Sequence, residues 1–323
     1  MKALYFGTYD REHPRNVNAI AALRDADVEV VERSARVRGR GLLGALSVYG
    51  AESKLLVPRK REFDVVIVGY PGHFDVPRAR RVAGGRPLVF DAVLSLEDEL
   101  VGVRRRFRPR STAATVLRAV DLRALRLPDL VVCGTDTEAA YLQSLGATNV
   151  ASVFLGADEE LYRHLSAPTY PFTAVHFATG LPGDGSADVV RSAASLQEAP
   201  VHIVAPDEVA PDDLGIAVAH AGIVLASFRE SRSIPPVVFD ALATGAPLIT
   251  ADTTAARELL RDGESALLVP PDDPDALAAA ISRLEADDEL RSRVAQNGRE
   301  VFAQCASRAV LGARWRALLA DLM

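Results

Sequence analysis

Between Ser231 and Pro271 the chain reads SRSIPPVVFDALATGAPLITADTTAARELLRDGESALLVPP, with a guanidinium at Arg232, carboxylates at Asp240 and Glu258, and hydroxyls at Thr253 and Thr254. An arginine fork suits a carboxylate or a phosphate, and an aspartate accepts from a pair of vicinal hydroxyls. What such groups do depends on the elements that carry them. Pro235 and Pro236 close a loop, and Val237, Val238, Ala241 and Leu242 recur at helical spacing. That pattern predicts a helix that begins near Pro236, carries Asp240 and stops at Gly245. A short buried strand over Pro247 to Thr250 follows, then a helix capped by Thr253, carrying Arg257 and Glu258 and ending at Gly263, then a strand from Ala266 to Val269. So tight an α-β-α-β run belongs to a parallel sheet, whose ligands sit at the carboxyl ends of strands and the amino ends of helices.

The order of these parts resembles the group 1 (family 4) glycosyltransferases of the GT-B fold. The matching features are the proline loop, the acid on a helix ending A-x-x-x-G-x-P, the helix ending E-L-L-x-D-G-E, and the strand ending L-V-P-P. Asp272 to Leu284 and Asp288 to Phe302 are similar to the family's closing helices, and the early loop YFGTYDREHPRN resembles the first loop of some bacterial members. The resemblance implies an α/β protein of two Rossmann-like domains facing each other across a cleft. The first, residues 1–167, would hold the acceptor. The second, residues 168–323, would hold a nucleotide-diphosphate sugar, with the final helix, about Ser307 to Leu322, packing back on the first domain. It further implies a cytoplasmic enzyme of glycan biosynthesis, a retaining transfer, a saccharide or lipid-linked acceptor, and no cofactor or metal beyond the sugar nucleotide as substrate.

Carried onto individual positions, Asp240 takes the place of the acid that meets the nucleotide ribose. Thr253, Thr254 and Glu258 join it on the donor side, while His13, Arg15 and Asp91 fall on the acceptor side. Arg232 and His73 are the candidate catalytic groups. Arg232 stands eight residues before Asp240, where the family has a second acid, and TGLPGDGS at 179–186 offers neither Arg nor Lys for a diphosphate. Arg232 would then offset the missing cations, and backbone N–H groups of the glycine-rich loop would hold phosphate. Only residues 206–215 separate the strand at Val201 from the next short helix, so the second domain is expected to be abridged by about one β-α unit of ~30 residues. A second class of function stays open beside the enzyme: a catalytically degenerate GT-B protein that binds or partners another glycosyltransferase.

The 323 residues are 49% apolar, enough for a sizeable core. Cys133 and Cys305 lie in apolar runs without metal-ligand spacing, which reads as a reduced compartment. No apolar stretch approaches the ~18 residues of a spanning helix. Residues 1–165 hold 25 Lys and Arg against 21 Asp and Glu, and the remainder 12 against 22. Much of the first excess is Arg104, Arg105, Arg106, Arg108 and Arg110, followed by Arg118, Arg123 and Arg126. These read as a solvated face or as a patch for an anionic acceptor or peripheral contact with the membrane inner face. Nucleic acid is not indicated, because no aromatic interleaving accompanies them.

Lys2 to Phe6, Val28 to Glu32, Phe63 to Tyr70, Pro87 to Asp91, Asp129 to Cys133 and Val150 to Phe154 read as the strands of the first domain. The first turn lacks G-x-G-x-x-G, which removes the main support for a nicotinamide or flavin enzyme. His73 and Asp91 fall just past carboxyl ends of strands. His73 reads either as a ligand contact or as a histidine bonded to a loop carbonyl, and Asp91 either as a ligand contact or as a cap. The linker is expected within Ser166 to Pro171, stiffened by Pro168 and Pro171.

Overall fold

In the computed structural model, residues 1–35, 63–162, 173–177, 185–196, 201–204 and 216–323 are described. The chain divides into two compact units, Met1–Phe154 with Leu311–Met323, and Leu155–Val310. The expected linker and most of the glycine-rich loop, residues 178–184, lie outside the described residues.

The first unit runs β1 (Lys2–Gly7), α1 (Pro14–Asp25), β2 (Glu29–Ser34), β3 (Val65–Val68), α2 (Val76–Ala83), β4 (Leu88–Asp91), α3 (Thr112–Arg126), β5 (Leu130–Cys133), α4 (Asp136–Ser144) and β6 (Val150–Ser152). A π-helical turn, Asp98–Val103, lies between β4 and α3. All pairings are parallel, in the order β2-β1-β3-β4-β5-β6. The inner strands β3 and β5 are unbroken apolar runs because helices cover both faces of the sheet, and every residue of β3, β4 and β5 is buried. Helix starts follow local chemistry. Ser111 Oγ accepts from Ala114 N at 3.2 Å, and Thr135 Oγ1 from Glu138 N at 3.0 Å, while the Glu138 carboxylate returns to Gly134 N at 2.6 Å.

The second unit runs α5 (Glu159–Tyr162), β7 (Ala174–Phe177), α6 (Ser186–Ser195), β8 (Val201–Val204), β9 (Ile223–Leu225), α7 (Pro236–Thr244), β10 (Leu248–Ala251), α8 (Ala256–Leu259), β11 (Leu267–Val269), α9 (Pro274–Ala286), α10 (Asp288–Val301) and the final helix α11 (Arg308–Ala320). Its described strands form a five-stranded parallel sheet, β11-β10-β9-β7-β8, one strand fewer than the first. Gly245, in the left-handed region at φ 74°, closes α7. The helix expected to reach Gly263 stops at Leu259. Leu260 is extended, Arg261 N donates to Ser265 Oγ at 2.9 Å, and Gly263 N donates to Ala266 O at 2.9 Å, so a turn replaces the last helical residues.

From Leu311 onward α11 belongs to the first unit, where Leu311, Trp315 and Leu319 share one core with Ile20 and Leu23 of α1 and Tyr5 of β1. The approach needs Gly312: a Cβ there would stand 2.4 Å from the Ala22 carbonyl oxygen.

Candidate functional site

Each sheet reverses its strand order at one place, between β1 and β3 in the first unit and between β7 and β9 in the second. Ligands of open parallel sheets settle at such switch points because the two adjoining loops part there.

In the first unit the loops after β1 and β3 are sewn together. Asn16 Nδ2 donates to Asp10 O and Tyr70 O, each at 2.6 Å, and Asn16 Oδ1 accepts from Tyr5 Oη at 3.0 Å and Tyr70 N at 2.9 Å. Asp75, fully buried, accepts from Thr8 N at 2.8 Å and Thr8 Oγ1 at 2.9 Å. His13 caps α1, its Nδ1 accepting from Arg15 N at 3.2 Å. Its ring lies 4.8 Å from that of Tyr70, whose hydroxyl donates to Glu99 at 3.0 Å. Glu99 in turn pairs with Arg104 at 2.7 Å. Burial pushes His13 below the usual histidine range, leaving a half-buried neutral imidazole at this loop edge.

Arg15 and Asp91 are committed to each other. Arg15 Nε lies 2.9 Å from both Asp91 oxygens and Nη2 is 2.8 Å from Oδ1, with the two residues 2% and 0% exposed. Arg15 also donates to Val153 O at 2.6 Å and packs over the Trp315 ring at 5.9 Å. Burial opposes its charge, but Asp91 outweighs burial and holds the guanidinium protonated. Both residues, expected on the acceptor side, are thus held in one buried ion pair, and neither side chain reaches solvent.

His73 is also buried. Its Nε2 lies 2.9 Å from the Leu94 carbonyl and so carries the proton, while Nδ1 has no hydrogen-bond partner. Burial pushes its pKa down. The Asp121 carboxylate, 3.6 Å away, is held by the Ser95 hydroxyl and the N–H groups of Leu96 and Glu97. Of the two readings of His73, the loop-carbonyl one describes its bond.

In the second unit the loops after β7 and β9 meet at Ser186 and Ser227, whose hydroxyl oxygens are 3.3 Å apart, and Phe228 N donates to Ser186 Oγ at 3.1 Å. Arg229 follows directly. Its Nη1 pairs with Asp272 at 2.7 Å and lies 3.3 Å from where a Cβ on Gly185, the N-cap of α6, would stand. Adjacent is a pocket lined by the hydroxyl residues Ser227, Ser231, Ser233, Thr250 and Thr253, together with Arg229. Thr253 Oγ1 accepts from Ala256 N at 3.0 Å in the turn that leads into α8, whose N-cap is Ala255. Arg232 and Thr254 are exposed and Glu258 half-buried. Asp240 is not part of that lining. Burial, opposed by the neighbouring Tyr162 and reinforced by the Asp158 charge, pushes the Asp240 carboxyl up to about 7.

Residues 176–287 match a family model described as glycosyl transferases group 1. The second unit carries a group 1 glycosyltransferase domain. The phosphatidyl-myo-inositol mannosyltransferase of Mycobacterium leprae is 40% identical over 91 residues, 28% of this chain and 24% of that protein. Sucrose-phosphate synthase from Thermosynechococcus elongatus has a TM-score of 0.75 at 15% identity, covering 99% of this chain and 98% of that one. HepE of Anabaena, solved with UDP and glucose, has a TM-score of 0.70 at 17% identity over 100% of both chains. These likenesses give the fold as GT-B. The curated relatives are matched over 11% to 50% of their own lengths.

The group 1 domain thus draws Ser186, Ser227 and Arg229 together, three residues that sequence reading left unassigned. One signal was available, since Ser227 and Arg229 follow β9 at its carboxyl edge. Their junction with Ser186 depends on β7 and β9 being neighbours, 46 residues apart at Phe177 and Ile223. The arginine run forms an exposed surface. Arg104, Arg105, Arg106, Arg108 and Arg110 are exposed, as are Arg118, Arg123 and Arg126 of α3, with Val116 beside them 55% exposed. Among the described residues no helix is long and apolar enough to cross a membrane.

Proposed function

We propose that the protein is a glycosyltransferase whose group 1 domain binds a nucleotide-diphosphate sugar and whose first unit supplies the acceptor contacts. The observation that carries this reading is the meeting of Ser186, Ser227 and Arg229 at the β7/β9 switch point. The start of α6 offers backbone N–H groups to an anion, and the Arg229 guanidinium beside Gly185 supplies the positive charge that TGLPGDGS lacks. Arg232, on the same loop, adds a second guanidinium. Asp240 accepts from the ribose hydroxyls, with Thr253, Thr254 and Glu258 completing the donor side. His13, half-buried at the loop edge, is the acceptor candidate of the first unit, while His73 is as buried as the Arg15–Asp91 pair.

In the transfer, the bond between the sugar C1 and the diphosphate oxygen breaks with its electron pair going to the diphosphate. The acceptor oxygen bonds to C1 on the same face, and its proton passes to the departing phosphate. Arg229, Arg232 and the α6 terminus stabilise the charge that grows on that phosphate, and the reading calls on no cofactor. The UDP bound by HepE makes UDP the first probe. The mannosyltransferase relative's name points to a lipid-linked acceptor, and the exposed arginines fit a peripheral contact with an anionic membrane face.

Arg229→Ala tests the reading. A hydrogen bond to a charged group contributes about 1.5–3 kcal/mol, and releasing Arg229 from its exposed pair with Asp272 costs about 0–1 kcal/mol. The net, about 0.5–3 kcal/mol, predicts UDP binding weakened roughly 2- to 150-fold by calorimetry. A wild type that binds neither UDP nor GDP and transfers no sugar would leave the degenerate partner reading in its place.

A further inference from the structure

Between β11 and α9, Asp272 sits at φ 58°, in the left-handed region that glycine enters freely and other residues enter at a steric cost. A residue keeps such a conformation where its surroundings over-determine it, which points to a task for the side chain. That task is not local. The next carboxylate, Asp273, starts α9 by accepting from Ala276 N at 2.9 Å, whereas Asp272 turns back to the loop after β9. Its N–H donates to Phe228 O at 2.8 Å, and its carboxylate pairs with Arg229 Nη1 at 2.7 Å. That same nitrogen lies 3.3 Å from where a Cβ on Gly185, the N-cap of α6, would stand. The Asp272 carboxylate is therefore an anion already held by the guanidinium to which the donor reading assigns a phosphate. The Arg229 and Asp272 side chains are 44% and 50% exposed, so a ligand can reach the pair from solvent and exchange with it.

We propose that Asp272 is the built-in counter-anion of the donor site: its carboxylate occupies Arg229 in the free protein, and the phosphate of a nucleotide binds by displacing it. This rests on the donor reading above. An exposed pair is weak, so the exchange costs little, and the loop keeps a balanced charge until the nucleotide arrives. Once displaced, the carboxylate stays on a segment anchored at Phe228 O and faces the bound phosphates as a like charge. Both effects lower affinity. Asp272 thereby sets the nucleotide concentration at which the site fills.

The test is calorimetric titration of UDP into wild type, Asp272→Asn, Asp272→Gly, Arg229→Ala and the double variant Arg229→Ala with Asp272→Asn, with melting temperatures measured alongside. Asparagine tolerates the left-handed region and glycine takes φ 58° without steric cost, so both single variants at 272 should melt near the wild type. Both should bind UDP roughly 1.5- to 5-fold more tightly, the ~0.2–1 kcal/mol of an exposed pair no longer to be broken, with the lost repulsion adding to it. In the Arg229→Ala background the substitution should gain less, because no pair remains to be broken. An affinity no higher than the wild type's in either Asp272 variant overturns the proposal while the donor reading stands, and a lower one would make the carboxylate a support for Arg229. An equal gain with and without Arg229 overturns it as well, since the effect would then be long-range charge alone. If the wild type does not bind UDP, or binds it equally well without Arg229, the donor reading itself fails and the proposal falls with it.

Discussion

Asp91→Asn separates scaffold from acceptor contact in the first unit. Arg15 makes three contacts of 2.8–2.9 Å with the Asp91 carboxylate, and neither side chain is more than 2% exposed. Asparagine keeps the shape and one acceptor oxygen but removes the charge, leaving the guanidinium buried against the carbonyls of Val153, Phe154 and Cys133. Removing one partner of a buried ion pair costs about 3–5 kcal/mol, because the remaining charge is desolvated without compensation. The substituted amide retains part of the hydrogen bonding, so the lower half of that range is expected. With a urea slope of about 1–3 kcal/mol/M, the first unit should unfold at a midpoint lower by roughly 1–4 M. The double variant Arg15→Met with Asp91→Asn should recover much of the loss, since it removes the stranded charge. The assay is urea unfolding followed by Trp315 fluorescence, whose ring lies under the Arg15 guanidinium. A midpoint unchanged in Asp91→Asn, with sugar transfer lost, would refute the scaffold assignment and return Asp91 to the acceptor.

Asp240 predicts a pH dependence. Its folded pKa of about 7 lies above the ordinary carboxylate range, so the folded state retains its proton longer than the unfolded chain does. Its contribution to stability is present below that ordinary range and lost as pH rises through about 7, and Asp240→Asn should flatten this decline in thermal melts. UDP affinity relative to Asp240→Asn should rise roughly tenfold between pH 6 and 8, the ratio of ionised fractions on either side of the pKa. A ratio that does not change with pH would contradict this. Replacing Arg105, Arg106, Arg108 and Arg110 by Ser should weaken association with vesicles rich in phosphatidylglycerol by about 4 kcal/mol, at about 1 kcal/mol per arginine near the surface. Cosedimentation checks it, and a wild type that ignores anionic vesicles would end the membrane reading.

The sequence determined the elements and their order. Apolar runs such as VVIV and LVVC, short and rich in β-branched residues, read as strands buried on both faces, and Thr135, Ser111 and Asp273 cap helices through bonds spanning three residues. Proline and glycine fix the ends of α7 in the same local way. These signals are legible because each needs only its neighbours in the chain. Which polar groups stay free to meet a ligand is a tertiary matter. Arg15 and Asp91 are 76 residues apart and look like two ligand-facing groups until parallel pairing places them in one buried bond. Arg229 looks like an ordinary surface arginine until β7 and β9 become neighbours and bring it beside Gly185. The physical reason is the same in each case: charge and hydrogen-bonding capacity are set by residue type, but whether they are already spent depends on partners that only the fold brings within about three ångströms.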